Sequence, residues 1–144
     1  MTMVSRNALV PFSAEQMFLL VDDIDAYPQF LPWCKGSTTH RREGDQVRAS
    51  VDVSKAGFKQ SFTTNNTNQV GKQIEMQLVD GPFKSLHGYW RFDALSANAS
   101  KVSLDIEFEF SSKVLSMTLG PVFAQICNTM VEAFVKRARE VYSQ

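Results

Sequence analysis

Tyr27-Pro28-Gln29-Phe30-Leu31-Pro32-Trp33-Cys34 packs three aromatic rings, a leucine and two prolines into eight residues. Each proline lacks a backbone N–H and crowds the turn before it, so two prolines four apart cannot both lie inside one regular helix. The stretch is expected to be a short helical or turn segment with much apolar surface and little regular structure. Such a segment needs a large apolar partner. Residues 113–142, at the far end of the chain, read as one long amphipathic helix, and the residues between read as strand after strand. A sheet, a long helix and an apolar connecting segment point to a protein built around a hydrophobic cavity.

Toward the N-terminus, residues 3–10 read as a strand ended by Pro11. Ser13 then caps a helix running to about Asp22, with Gln16 at the capping-box position. Asp22, Asp23 and Asp25 read as solvated carboxylates, with Asp25 capping the turn that holds Tyr27. After Cys34 the apolar period becomes two. Val47, Ala49, Val51 and Val53 alternate with polar residues; so do Phe58, Gln60 and Phe62, then Ile74, Met76 and Leu78. Leu86, Gly88, Trp90 and Phe92 follow, then Leu104, Ile106, Phe108 and Phe110. One buried and one wet face per strand marks an antiparallel sheet. Glu43-Gly44-Asp45, Ala56-Gly57, Val70-Gly71-Lys72, Asp80-Gly81-Pro82 and Ser96-Ala97-Asn98 supply the short polar turns.

The terminal helix opens near Ser112, and Gly120-Pro121 is expected to kink it or split off its first turns. Beyond the proline the apolar stripe is Val122, Phe123, Ile126, Met130, Phe134, Ala138 and Val141. The order β-α-α followed by six strands and a helix gives an α+β fold: a curved antiparallel sheet of about seven strands around a long C-terminal helix, with two short helices after the first strand. One helix cannot fill so wide a face, so a pocket between helix and sheet is expected.

At 144 residues the chain, 1–144, fits a single domain. Its net charge is zero, which argues against a general nucleic-acid binder, DNA included. Cys34 and Cys127 make no disulfide framework and read as buried thiols. The first residues lack the pattern of a signal peptide and no run of 18 apolar residues occurs, so the cytoplasm is the expected compartment.

No catalytic constellation stands out. His40 and His87 fall on different strands, no ligand spacing for a metal is present, and Glu107 and Glu109 alternate with core phenylalanines. What remains is apolar. The expected gate and cavity residues are Tyr27, Pro28, Phe30, Leu31, Pro32 and Trp33 from the loop and Phe58, Phe62, Met76, Phe83, Trp90 and Phe108 from the sheet. Phe123, Ile126 and Met130 add the helix wall, and the loop is expected to face Asp80–Phe83. Two small basic clusters, His40-Arg41-Arg42 and Lys136-Arg137-Arg139, make Arg41, Arg42, Lys136 and Arg139 candidate contacts to RNA phosphate if they adjoin.

Several stretches together resemble the coenzyme Q-binding START-like (SRPBCC, polyketide cyclase-like) family, and more closely its bacterial ribosome association toxin branch. They are Val10-Pro11-Phe12-Ser13-Ala14-Glu15-Gln16-Met17, Tyr27-Pro28-Gln29-Phe30-Leu31-Pro32, Val51 to Gly57, Leu78 to Lys84 and Phe108-Glu109-Phe110. The resemblance covers nearly the whole chain and implies a helix-grip (START/Bet v 1-like) fold. It implies two roles. One is a non-enzymatic carrier of ubiquinone or another polyprenyl lipid, supporting respiration, with peripheral membrane contact and no required cofactor. The alternative is a toxin that binds the large ribosomal subunit and blocks subunit joining. The apolar lining favours the first, and cyclase chemistry has no catalytic set behind it. The residues leave open the ligand's identity, the choice between the roles, the oligomeric state and any antitoxin.

Overall fold

The computed structural model describes residues 2–142, the side chain of Phe58 excepted. The chain runs β1 (Thr2–Val10), α1 (Ala14–Asp22), a 3-10 helix (Ile24–Gln29), β2 (Cys34–Glu43), β3 (Gln46–Lys55), β4 (Phe58–Gln69), β5 (Gln73–Asp80), β6 (Phe83–Ser96), β7 (Ala99–Phe110) and α2 (Lys113–Tyr142). The seven strands form one open antiparallel sheet in the order β1-β7-β6-β5-β4-β3-β2. Consecutive strands from β2 to β7 pair as hairpins, and β1 closes onto β7 with Thr2 opposite Phe108.

The alternation carries through. On β7, Val102, Leu104, Ile106, Phe108 and Phe110 are all buried, and on β6 so are Leu86, Trp90 and Phe92. Ser13 receives the Gln16 N–H while the Gln16 side chain receives the Ser13 N–H, completing the expected capping box. Ser112 caps α2 by accepting the Leu115 N–H.

Three sequence expectations change. Asp25 does not cap the 3-10 helix; its carboxylate takes the Thr39 N–H of β2 at 2.8 Å. Asp22 accepts from both Arg42 and Asn68 and ties the α1 end to the sheet, whereas Asp23 and Asp25 are exposed. And α2 runs unbroken through Gly120-Pro121. Proline deprives the Met117 carbonyl of its i+4 donor, and this turn lies on the surface, with Met117 79% exposed, where solvent is at hand to replace the lost bond.

The buried face of α2 is Phe123, Ile126, Cys127, Val131, Phe134, Val135 and Ala138. Val141, expected in that stripe, is exposed, while Cys127, Val131 and Val135 widen it. By length and composition α2 also passes for a membrane-crossing helix, with an 18-residue window of mean hydropathy 1.4. Here its second half is core. Phe134 is fully buried, its ring 5.2 Å from Trp90, 5.3 Å from Phe30 and 5.4 Å from Tyr27.

Phe134→Ala is therefore expected to cost about 3–5 kcal/mol, whereas Lys136→Ala, exposed on the opposite face, stays within about 0.5 kcal/mol. Urea titration of both variants measures this, and equal midpoints would reverse the assigned helix faces.

Candidate functional site

The backbone of α2 runs closest to β1 and β7. Farther across the sheet the helix stands off, and the gap holds a cavity. Its walls are Ile24, Tyr27 and Trp33; Ala49 and Val51 of β3; Phe62, Thr64 and Asn66 of β4; Met76 of β5; Leu86 and Trp90 of β6; Leu104 and Ile106 of β7; and Phe123, Ile126, Cys127 and Met130 of α2. About 80 Å³ is open to the centre of a water molecule. A water occupies roughly 10–15 Å³ on that measure, so the space takes several waters or one ring-sized group. A polyprenyl tail needs the helix or the loop to move.

Of the residues singled out in the sequence, Tyr27, Trp33, Phe62, Met76, Trp90, Phe123, Ile126 and Met130 line this cavity. The others do not. Pro28 and Pro32 face solvent, because the 3-10 helix and its exit turn put every apolar ring of the stretch inward and leave the prolines on its back. Leu31 and Phe108 are packed in solid core, each 1% exposed. Phe83 is buried among Phe62, Phe110 and Phe123. Phe30 lies half-buried under the Arg137 guanidinium. Phe58 lies outside the described side chains.

The loop and the β5–β6 turn also fail to meet. Tyr27 and Phe30 pack on Phe134, but Phe83 packs on Phe123, three turns or about 16 Å away along α2. Gly81 makes the second contact possible. Its φ is 151°, and an added Cβ would stand 2.7 Å from the Phe62 Cβ.

Sequence reading missed the polar wall. The period of β4 continues past Phe62 and turns Thr64, Asn66 and Asn68 inward, all buried. Asparagine is poor in strands, which hides the pattern, yet counting in twos from Phe62 finds it. Thr64 Oγ1 donates to Asn66 Oδ1 at 2.9 Å. Asn68 Nδ2 donates to Asp22, while Asn68 Oδ1 is buried without a partner. The Tyr27 hydroxyl, by contrast, is spent on the Val21 carbonyl, and burial pushes its pKa up.

The basic clusters are largely neutralised. Arg41 pairs with Glu43, Arg42 with Asp22, and Arg137 bonds Gln29 and reaches Glu140. Lys136 and Arg139 stay exposed on α2. On the outer face His87 Nε2 meets Glu75 at 2.8 Å, and this bond, with a second from Tyr89, holds the Glu75 carboxyl below its usual range.

The family model for polyketide cyclase / dehydrase and lipid transport proteins matches residues 10–135. A ribosome association toxin RatA of Vibrio cholerae is 51% identical over 144 residues, covering all of both chains. The chain belongs to this family, in its RatA branch. The RatA of Escherichia coli K12 is 49% identical, over 99% of this chain and 90% of its own. A mitochondrial coenzyme Q-binding protein, COQ10 homolog B of Xenopus laevis, is 29% identical over 97% of this chain and 59% of that one. Among solved structures, a START superfamily protein of Mycobacterium smegmatis has a TM-score of 0.82 at 24% identity, covering 96% of this chain and 98% of that one. The Zhui aromatase/cyclase of Streptomyces has a TM-score of 0.81 at 15% identity, covering 99% and 96%; both likenesses show the fold alone. The family is described by cyclases, dehydrases and lipid transport, while the relatives at high identity are named toxins.

Both cysteines are free and buried. Burial pushes the Cys127 thiol to about 12, which leaves about one thiolate in ten thousand at pH 8. Burial raises Cys34 as well. Iodoacetamide at pH 8 is expected to label neither in the native protein and both after denaturation. Mass spectrometry reads this out, and rapid native labelling of Cys127 would mean that the cavity opens to solvent.

Proposed function

We propose that this chain associates with ribosomes in the cytoplasm, binding the large subunit and hindering its union with the small one. The observation that carries the reading is full-length identity of 51% to a protein named for ribosome association, against 29% to one named for coenzyme Q binding. The second-ranked role in the sequence thus becomes the first.

A ligand role is retained beside it because of one observation. A cavity walled by Trp90, Phe62 and Phe123 on most sides, with Thr64 and Asn66 on one, suits a flat apolar molecule bearing a polar group. No enzymatic step is part of the proposal.

Sedimentation of purified ribosomes with and without the protein tests the first role. The protein is expected to travel with free large subunits and to lower the fraction of joined particles when magnesium is limiting. Protein left at the top of the gradient, with subunit joining unaltered, would refute it. Mass spectrometry of solvent extracts of the folded protein tests the ligand role separately.

A further inference from the structure

The strand register brings five segments to one end of the molecule. Thr2 lies opposite Phe108, Cys34 opposite Val53, Lys55 opposite Phe58, Thr63 opposite Asp80 and Phe83 opposite Phe110. The β3–β4 turn, the β5–β6 turn and the start of α2 therefore share that end with the starts of β1 and β2. Lys35, Lys55, Lys59, Lys84 and Lys113 all lie there, five of the eight lysines and none of the seven arginines. Among the described residues no lysine enters an ion pair.

Aliphatic side chains stand exposed at the same end. Val114 is 70% exposed, Met117 79% and Val79 43%. From Val114 to Val131 the helix holds no charged residue. Acids share this end: Glu109 stands in one surface hollow with Lys84 and Lys113, Asp52 in another with Lys35 and Lys59, and Asp80 closes β5. None of them comes within ion-pair distance of a lysine among the described residues.

We propose that this end docks on an anionic lipid bilayer. The first two turns of α2 enter the interface with Val114 and Met117, and the lysines around them meet the headgroups. Exposed aliphatic groups beside lysines are the composition of interfacial helices. Each lysine near an anionic surface strengthens binding about fivefold. A nucleic-acid phosphate surface fits less well, because it gains nothing from exposed valine and methionine and favours the arginine fork, which is absent from this end. The positive dipole end of α2 lies at this end as well.

Co-pelleting of the full chain with vesicles tests the proposal, using phosphatidylcholine alone and phosphatidylcholine with a phosphatidylglycerol fraction, at low and high salt. Two double variants at exposed positions accompany it, Lys84→Glu with Lys113→Glu and Val114→Ser with Met117→Ser. Melting curves check that both remain folded. Native protein is expected to prefer the anionic vesicles and to lose binding with salt. The lysine variant should bind at least tenfold more weakly, and the apolar variant should weaken on both lipid mixtures. Absence of vesicle binding, or binding indifferent to both variants, overturns the proposal. So does a lysine variant that loses sedimentation with ribosomal subunits while vesicle binding is unchanged, because this end would then be a ribosome contact. Ribosome sedimentation of the native chain is read independently, so either reading can fail without the other.

Discussion

The inner layer depends on one constraint: a single helix must cover the hydrophobic face of seven strands. The contact is made at two aromatic anchors on α2. Phe123 locks against Phe83 and Phe108, and Phe134 against Tyr27, Phe30 and Trp90. Each ring pair adds about 0.5–1.5 kcal/mol beyond the area it buries. Between the anchors, Ile126, Cys127 and Met130 face β3 and β4 across the cavity. The 3-10 segment fills the C-terminal end of the gap. Its rings are core first and cavity wall second.

Most of this architecture is legible in the residues because period-two alternation and a capped amphipathic helix are local signals. Val47, Ala49 and Val53, or Leu104, Ile106 and Phe108, announce their faces without help from the rest of the chain. The site is less legible because it depends on distances between elements. Nothing local tells Leu31, packed solid, from Trp33, two residues on and facing the cavity. Nothing local says that Arg41 and Arg42 find carboxylates. The inward Thr64, Asn66 and Asn68 defeat a reading that equates inward with apolar, and Thr64 and Asn66 give the cavity a polar side.

Two kinds of surface thus coexist on a small domain. The interior holds an aromatic pocket with one polar side, and both thiols are buried. The outside divides by charge type. Arg41, Arg42, Arg91 and Arg137 pair with acids, while among the described residues no lysine does, and five of the lysines gather at one end. Paired guanidinium groups fix the scaffold, and unpaired ammonium groups remain available to something outside it.

The pairing of β1 with β7 carries a consequence for how the chain acquires its structure. Thr2 meets Phe108 across more than a hundred residues, whereas the strands from β2 to β7 close as successive hairpins. Non-local closure is slow because chain entropy must be lost before contacts reward it. During synthesis the meander can form in order while the first strand waits, its partner among the last to emerge. The N-terminal strand and the terminal helix thus complete the molecule together, and a chain cut short before β7 lacks the helix and leaves β1 without its partner strand.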